Sequence, residues 1–280
     1  MKKIIIILLL TFVFALPALA GKPSAPKSDQ ALISYVTPSN PAHQPIYDLL
    51  KERRVLERFK DLLSPLRLPA PLLLKTAGCN GESNAWYEAE GSEHTVTVCY
   101  EYLDEVLRYA PKTTTAAGVT SSDAIVGPTI EVFLHEVSHA VFDMLKVPIF
   151  GREEDAADQL ATYWLLQLGK EEARKTISGV AFMYNREAQE QKPGMKQFAD
   201  VHGLTAQRFF TLLCMAYGAD SELFADVVEK GYLPESRAEG CSDEYRQVSY
   251  AVDKLIRPNV DETLRKNVKA KKLLKPDPVK

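Results

Sequence analysis

The stretch FLHEVSHAVFDML, residues 133–145, sets two histidines four apart with a glutamate directly after the first. On a helix that advances about 100° per residue, His135 and His139 fall within about 40° of each other, and Glu136 lies about 100° from His135. Asp143 sits close to the same stripe, while Phe133, Leu134, Val137, Val141, Phe142, Met144 and Leu145 line the far side. So wide an apolar face predicts a largely buried helix whose polar stripe looks into a cleft. Two imidazoles one turn apart can hold a single ion, and a carboxylate beside that ion can take a proton from water. This is the HExxH arrangement, which also occurs by chance in soluble helices and therefore needs supporting ligands.

Support comes from GREEDAADQLATYWLL, residues 151–166. A hydrolytic zinc site takes a third protein ligand and leaves a fourth position for water. Glu154 and Asp158 are four apart, so both project from one helix face, and the short VPIFG connection lets that helix pack antiparallel on the first. Glu154 is the expected third ligand beside His135 and His139. Asp158 is expected to accept the free ring N–H of His135, which fixes the imidazole's tautomer and orientation. Glu153 and Asp155 suit another role, complementing the positive end of the helix dipole. Asp158 lies too deep for that role, beside Ala157, Leu160 and Ala161. The ligand types point to one Zn2+ per chain, although other divalent ions accept the same set.

HExxH followed by a helical ExxxD resembles the gluzincin branch of zinc metallopeptidases. In its membrane-bound CaaX-protease-like members the glutamate is the ligand and the aspartate stands behind a histidine. FLHEVSHAVFDML, GREEDAADQLA, CNGESNAWYEAE and AQRFFTLLCMAYG together are similar to an uncharacterised bacterial family of proposed metallopeptidases, over nearly the whole mature chain. The resemblance implies a zincin-like fold acting on a peptide or protein substrate. A further stretch, FADVHGLTAQRFF (198–210), resembles bacterial neutral zinc metallopeptidases. That likeness implies that His202 hydrogen-bonds the oxyanion and that Arg208 buttresses His202; Asp200 could orient the ring. A helix-capping histidine is the plainer alternative.

In the expected mechanism, zinc lowers the pKa of water while Glu136 takes its proton and later delivers it to the leaving amine. Tyr163, Tyr217 and Tyr250 are alternatives as oxyanion donors, with nothing to single one out. The strand HTVTVCY (94–100) is a candidate for pairing with an extended substrate. Two other readings remain open at this point: a non-catalytic zinc-binding protein of degenerate peptidase fold that binds a partner, and hydrolysis of a non-peptide amide. Glu136 argues against the first, because simple zinc binding does not need it.

The elements that must position these residues can be read along the chain. Lys2, Lys3, an apolar run and ALA at 18–20 make residues 1–20 a secretory signal. The expected mature protein is exported, periplasmic or extracellular, with no stable membrane span. Residues 21–30 read as a flexible lead-in, 31–256 as the metallopeptidase-like domain, and 257–280 as a basic, solvated tail. The formal charge of −3 becomes −5 once the two leader lysines are removed, too even to point to nucleic acid. Four cysteines in an exported chain read as disulfides, Cys79 with Cys99 and Cys214 with Cys241, since each pairing closes a local loop.

Periodicity predicts one amphipathic helix over about 45–65, a strand in LPAPLLLKTAG and a hairpin turning near Glu90-Gly91. A helix from Tyr100 follows, then the motif helix from about Pro128 and the second site helix over 152–168. Further helices are expected near 171–192, 204–217, 220–230 and 242–256. The sum is an α+β, mostly helical fold with a small antiparallel sheet preceding the HExxH helix.

Overall fold

The structure is a computed structural model and describes residues 30–270, with side chains through Lys266. The predicted signal, nearly all of the lead-in and the last ten residues lie outside that range. The described chain is mostly helical with one small mixed sheet. Strand β1 (Ala31–Tyr35) leads through helices α1 (Gln44–Glu52) and α2 (Val55–Leu63) to β2 (Leu72–Ala77). The hairpin strands β3 (Ala85–Glu90) and β4 (Glu93–Cys99) follow, and then α3 (Tyr100–Tyr109), α4 (Ser121–Met144) and α5 (Glu153–Leu166). The remaining helices are α6 (Lys170–Glu190), α7 (Met195–Phe198), α8 (Thr205–Ala219), α9 (Ala225–Glu229), α10 (Glu235–Ala238), α11 (Cys241–Leu255) and α12 (Glu262–Ala270).

The sheet corrects the antiparallel expectation. Its order is β1-β2-β4-β3, and only the β3–β4 hairpin is antiparallel. β1 pairs with β2 in parallel, and β2 with β4 in parallel. The reason is topological: α1 and α2 form a crossover between β1 and β2, and such a connection returns the chain in the same direction. The hairpin turns where expected, with Gly91 at φ 62°. Central β4 is buried from Thr95 to Cys99, as a strand covered on both faces must be.

The single helix predicted over 45–65 is two. Arg54 takes a left-handed conformation, φ 51°, and the chain turns there. The hydroxyl of Tyr35 then meets the start of α2, accepting the Leu56 N–H at 2.8 Å and donating to Glu57 at 2.8 Å. An unpaired first-turn donor is thus satisfied, and Leu56, Phe59 and Leu63 reach the core.

The motif helix begins seven residues before Pro128, at Ser121, because TSSD forms a capping box. Thr120 Oγ1 accepts from the Asp123 N–H, and Asp123 Oδ2 accepts from the Thr120 N–H, both at 3.1 Å. Pro128 therefore lies inside the helix. Just before it, α4 crosses α6 with backbones nearly touching. A Cβ on Gly179 would sit 1.9 Å from the Asp123 carbonyl oxygen, and one on Gly127 would sit 2.6 Å from that of Thr176.

Both expected disulfides are present, Cys79–Cys99 and Cys214–Cys241, with Cα separations of 5.6 and 5.0 Å. The second ties α8 to α11. The segment after Arg257 departs from a solvated tail at its start. Val260 bridges Leu66, the Asp261 N–H donates to the Pro65 carbonyl at 2.8 Å, and Arg67 pairs with Asp261. No helix among the described residues is long and apolar enough to cross a membrane.

The α4–α6 crossing makes a stability prediction. Gly179→Ala should cost at least about 1–3 kcal/mol, because backbone rather than a flexible side chain blocks the new methyl. Gly78→Ala, whose Cβ would meet nothing within 4 Å, should change stability by less than about 0.5 kcal/mol. Urea denaturation of both variants checks the contrast.

Candidate metal centre

α4 presents Glu131, His135, Glu136 and His139 along one side, and α5 presents Glu153, Glu154 and Asp158 toward them. His135 meets Asp158 while His139 meets Glu153 and Glu154, so the two helices run antiparallel, as the short connection requires. Glu154 reaches both imidazoles. Its Oε2 lies 3.0 Å from Nε2 of His135 and 3.2 Å from Nε2 of His139, and those two nitrogens are 3.2 Å apart. His202, on the exposed segment between α7 and α8, brings its own Nε2 to 2.9 Å from the same oxygen. Its ring also stacks on that of His135, with centroids 6.1 Å apart at 26°.

The other nitrogen of each ring faces a carboxylate. His135 Nδ1 is 2.8 Å from Asp158 Oδ1, His139 Nδ1 is 2.8 Å from Glu153 Oε1, and His202 Nδ1 is 3.4 Å from Asp200 Oδ1. Asp200 also accepts the backbone N–H of His202 at 3.0 Å. A carboxylate at Nδ1 holds the proton there and leaves Nε2 with its lone pair pointing inward. Nε2 of His135 and the Glu154 oxygen, with His139 on one side and His202 on the other, are donors that could hold a cation.

Electrostatics express the same demand for positive charge. Burial alone would push the His135 imidazole down, but Asp158 and Glu154 outweigh it and raise it to about 10. Burial likewise opposes His139, and Glu154 and Glu153 carry it upward. His202 is raised by Glu154 first of all. Glu154 is partly buried, which would push its carboxyl up, yet the three histidines hold it far below the usual carboxylate range. Glu136 goes the other way: it is buried, and burial pushes its carboxyl up.

Arg208 corrects one expectation. Its guanidinium is committed to Asp158 rather than to buttressing His202, with Nε to Oδ2 and Nη2 to Oδ1 both at 2.7 Å. It also lies 3.9 Å from Glu131 and stacks over the Tyr184 ring at 4.7 Å. Tyr184 donates to Glu131 at 2.9 Å. Arg208 therefore acts on the centre through the aspartate behind His135. Burial pushes Asp158 up, but Arg208 and His135 pull it well below its ordinary range.

Sequence reading missed Glu131 and Glu153. Glu131 stands four residues before His135, one more turn on the same stripe, so its spacing was a usable signal. From the sequence Glu153 fits a helix-dipole acid, and nothing in its spacing marks it as the partner of His139. Tyr87 was also missed. Its hydroxyl is 2.6 Å from Nδ1 of His94 and donates to Asp143 at 2.6 Å, joining β3 to the end of α4. Of the alternative tyrosines, Tyr163 is buried against Tyr245 and Tyr250 is exposed. The strand expected to accept substrate, β4, is interior, and among the described residues β3, which contacts α4, is an edge strand.

The two facing helices, with the segment carrying His202, bring together groups that could hold a metal ion. Residues 35–256 match the model of the family described as "Putative metallopeptidase", and the chain belongs to that family. Comparison with curated proteins and with solved structures finds no match.

Two outcomes follow from the charge network. Arg208→Ala leaves Asp158 and Glu131 without their cation and should cost about 3–5 kcal/mol in urea denaturation. Arg208→Lys should restore only part of that, because a point charge cannot bond both aspartate oxygens. The second concerns Glu187, whose carboxyl burial pushes up from 4.5 to about 7. Below pH about 4.5 both folded and unfolded chains are protonated there, and no stability difference arises. As pH rises toward 7 the unfolded chain ionises first, so stability falls and then levels. Glu187→Gln should therefore match the wild type in acid and exceed it above pH 7. The gap should stay below about 3 kcal/mol, since the side chain is only partly buried. Melting curves from pH 4 to 8 check it.

Proposed function

We propose that this chain is an exported, zinc-dependent metallopeptidase of gluzincin type, with the ion held by His135, His139 and Glu154. The observation that carries the reading is the inward convergence of Nε2 of both histidines on Glu154 Oε2, with each Nδ1 backed by a carboxylate. Tetrahedral bonds of about 2.0–2.1 Å separate neighbouring donors by roughly 3.3 Å, close to the 3.0–3.2 Å among these three atoms. Two imidazoles and a carboxylate are also the mixed nitrogen and oxygen set that zinc accepts in hydrolytic sites.

A zinc ion in that position supplies Lewis acidity, lowering the pKa of water and polarising a carbonyl. The chain's own residues do the rest. Glu136 sits beside the donors without being one of them, and its burial shields from bulk water a group that must both take and return a proton. It takes the proton of the attacking water and passes it to the leaving amine. His202, when it carries a proton on Nε2 as well as the Nδ1–H that Asp200 orients, donates a hydrogen bond to the oxygen that gains charge. Asp158, clamped by Arg208, holds His135 in the tautomer that faces inward.

The free edge of β3 is the natural seat for an extended peptide, since its neighbour β4 occupies only one side. Two disulfides fit an oxidising compartment and so favour export.

The test pairs metal analysis with cleavage of a peptide library. Wild type should hold one zinc per chain and lose it in His135→Ala. Glu136→Gln should keep its zinc while cleavage drops by about 10²–10⁴-fold. Undiminished cleavage in that variant would refute the assignment of the base.

A further inference from the structure

His202 is placed as more than an oxyanion donor. Its Nε2 approaches Glu154 Oε2 at 2.9 Å, closer than either motif histidine does. His202, His135 and Glu154 each offer a ligand atom within 4.8 Å of the other two. A group reserved for substrate would point beside the donor set; this one points into it. Its surroundings repeat those of the other two rings, with a carboxylate at Nδ1, here Asp200, and Nε2 turned inward. What differs is the support. His135, His139 and Glu154 sit on two packed helices, while His202 belongs to a short surface segment and its side chain is 45% exposed. Val201 and Phe198 beside it are 65% and 57% exposed, so little packing holds that segment down.

We infer that His202 is a fourth, displaceable protein ligand: at rest it closes the metal site, and it withdraws when substrate enters. The inference rests on the zinc reading above and adds a regulation of the same centre. Four protein donors make a closed site, whereas hydrolysis needs the fourth position for water. The segment carrying His202 must then move by a small amount before cleavage. The withdrawn imidazole, still tethered by Asp200, is left beside the position where charge develops.

The experiment uses full-length mature protein with zinc or cobalt(II) as the probe. X-ray absorption of the zinc form should count three imidazoles in wild type and two in His202→Ala. The cobalt(II) visible spectrum should change between them, and zinc affinity by chelator competition should fall about 10–100-fold in the variant. Asp200→Ala keeps the ligand but frees its ring, and should lower affinity in the same direction by less. It also serves if His202→Ala fails to fold. Saturating acetohydroxamate should reduce the wild-type count from three to two. Equal counts, spectra and affinities in wild type and His202→Ala would overturn the inference. So would a wild-type count that stays at three with the hydroxamate bound. Either result leaves the zinc reading intact so long as wild type binds one zinc and His135→Ala does not; a wild type that binds none overturns both.

Discussion

A helix as deeply buried as α4 cannot carry Glu131, His135 and Glu136 unless the neighbouring elements answer for them, since an unpaired buried charge costs several kcal/mol. Much of the architecture around the helix can be read as that answer. α5 brings Asp158 and Glu154 to His135, α6 brings Tyr184 to Glu131, and α8 brings Arg208 to the two acids between them. The contacts form a relay from Tyr184 through Glu131, Arg208 and Asp158 to His135. Arg208 is the hinge of that relay, because a planar guanidinium can bond both aspartate oxygens and still face Glu131. The α4–α6 crossing at Gly127 and Gly179 lets α6 come close enough to take part.

The donor cluster concentrates negative charge around a small number of inward nitrogens. Glu153, Glu154, Asp158 and Asp200 each touch an imidazole, and Arg208 is the permanent cation beside them. Those carboxylates are why all three histidines are driven upward. A divalent ion at the shared point would take the place of the protons those rings bind, so ion and protons would compete there.

Which residues of α4 and α5 come together was largely legible in the sequence, because helical spacing is a reliable guide to which residues share a face. His135 and His139, Glu154 and Asp158 are each four apart, and the short connection between their helices fixes the antiparallel contact. Arg208 was picked out, but its partner was not. A long side chain sweeps too wide a volume for spacing to choose between His202 and Asp158. Pro128 misled the start of α4, since a proline at a helix's beginning and one inside it look alike in one dimension, whereas the TSSD box upstream was the better signal. The sheet was the least legible part. β1 is five residues with no strong alternation, and parallel pairing across the α1–α2 crossover leaves no local signature. Only the hairpin, whose strands are neighbours in sequence, could be read directly.

Among the described residues strand β3 has one edge without a partner strand, and an unpaired edge invites any extended chain, including another copy of this one. Tyr87 limits that hazard by fastening the strand to Asp143 and His94. A slip of one residue would turn Tyr87 to the opposite face and break both contacts, so the register cannot drift. The half of the strand nearest the turn carries Glu88 and Glu90, whose charges repel a second β3 laid alongside. The same edge that can receive a single peptide is thus kept from becoming the first rung of an aggregate.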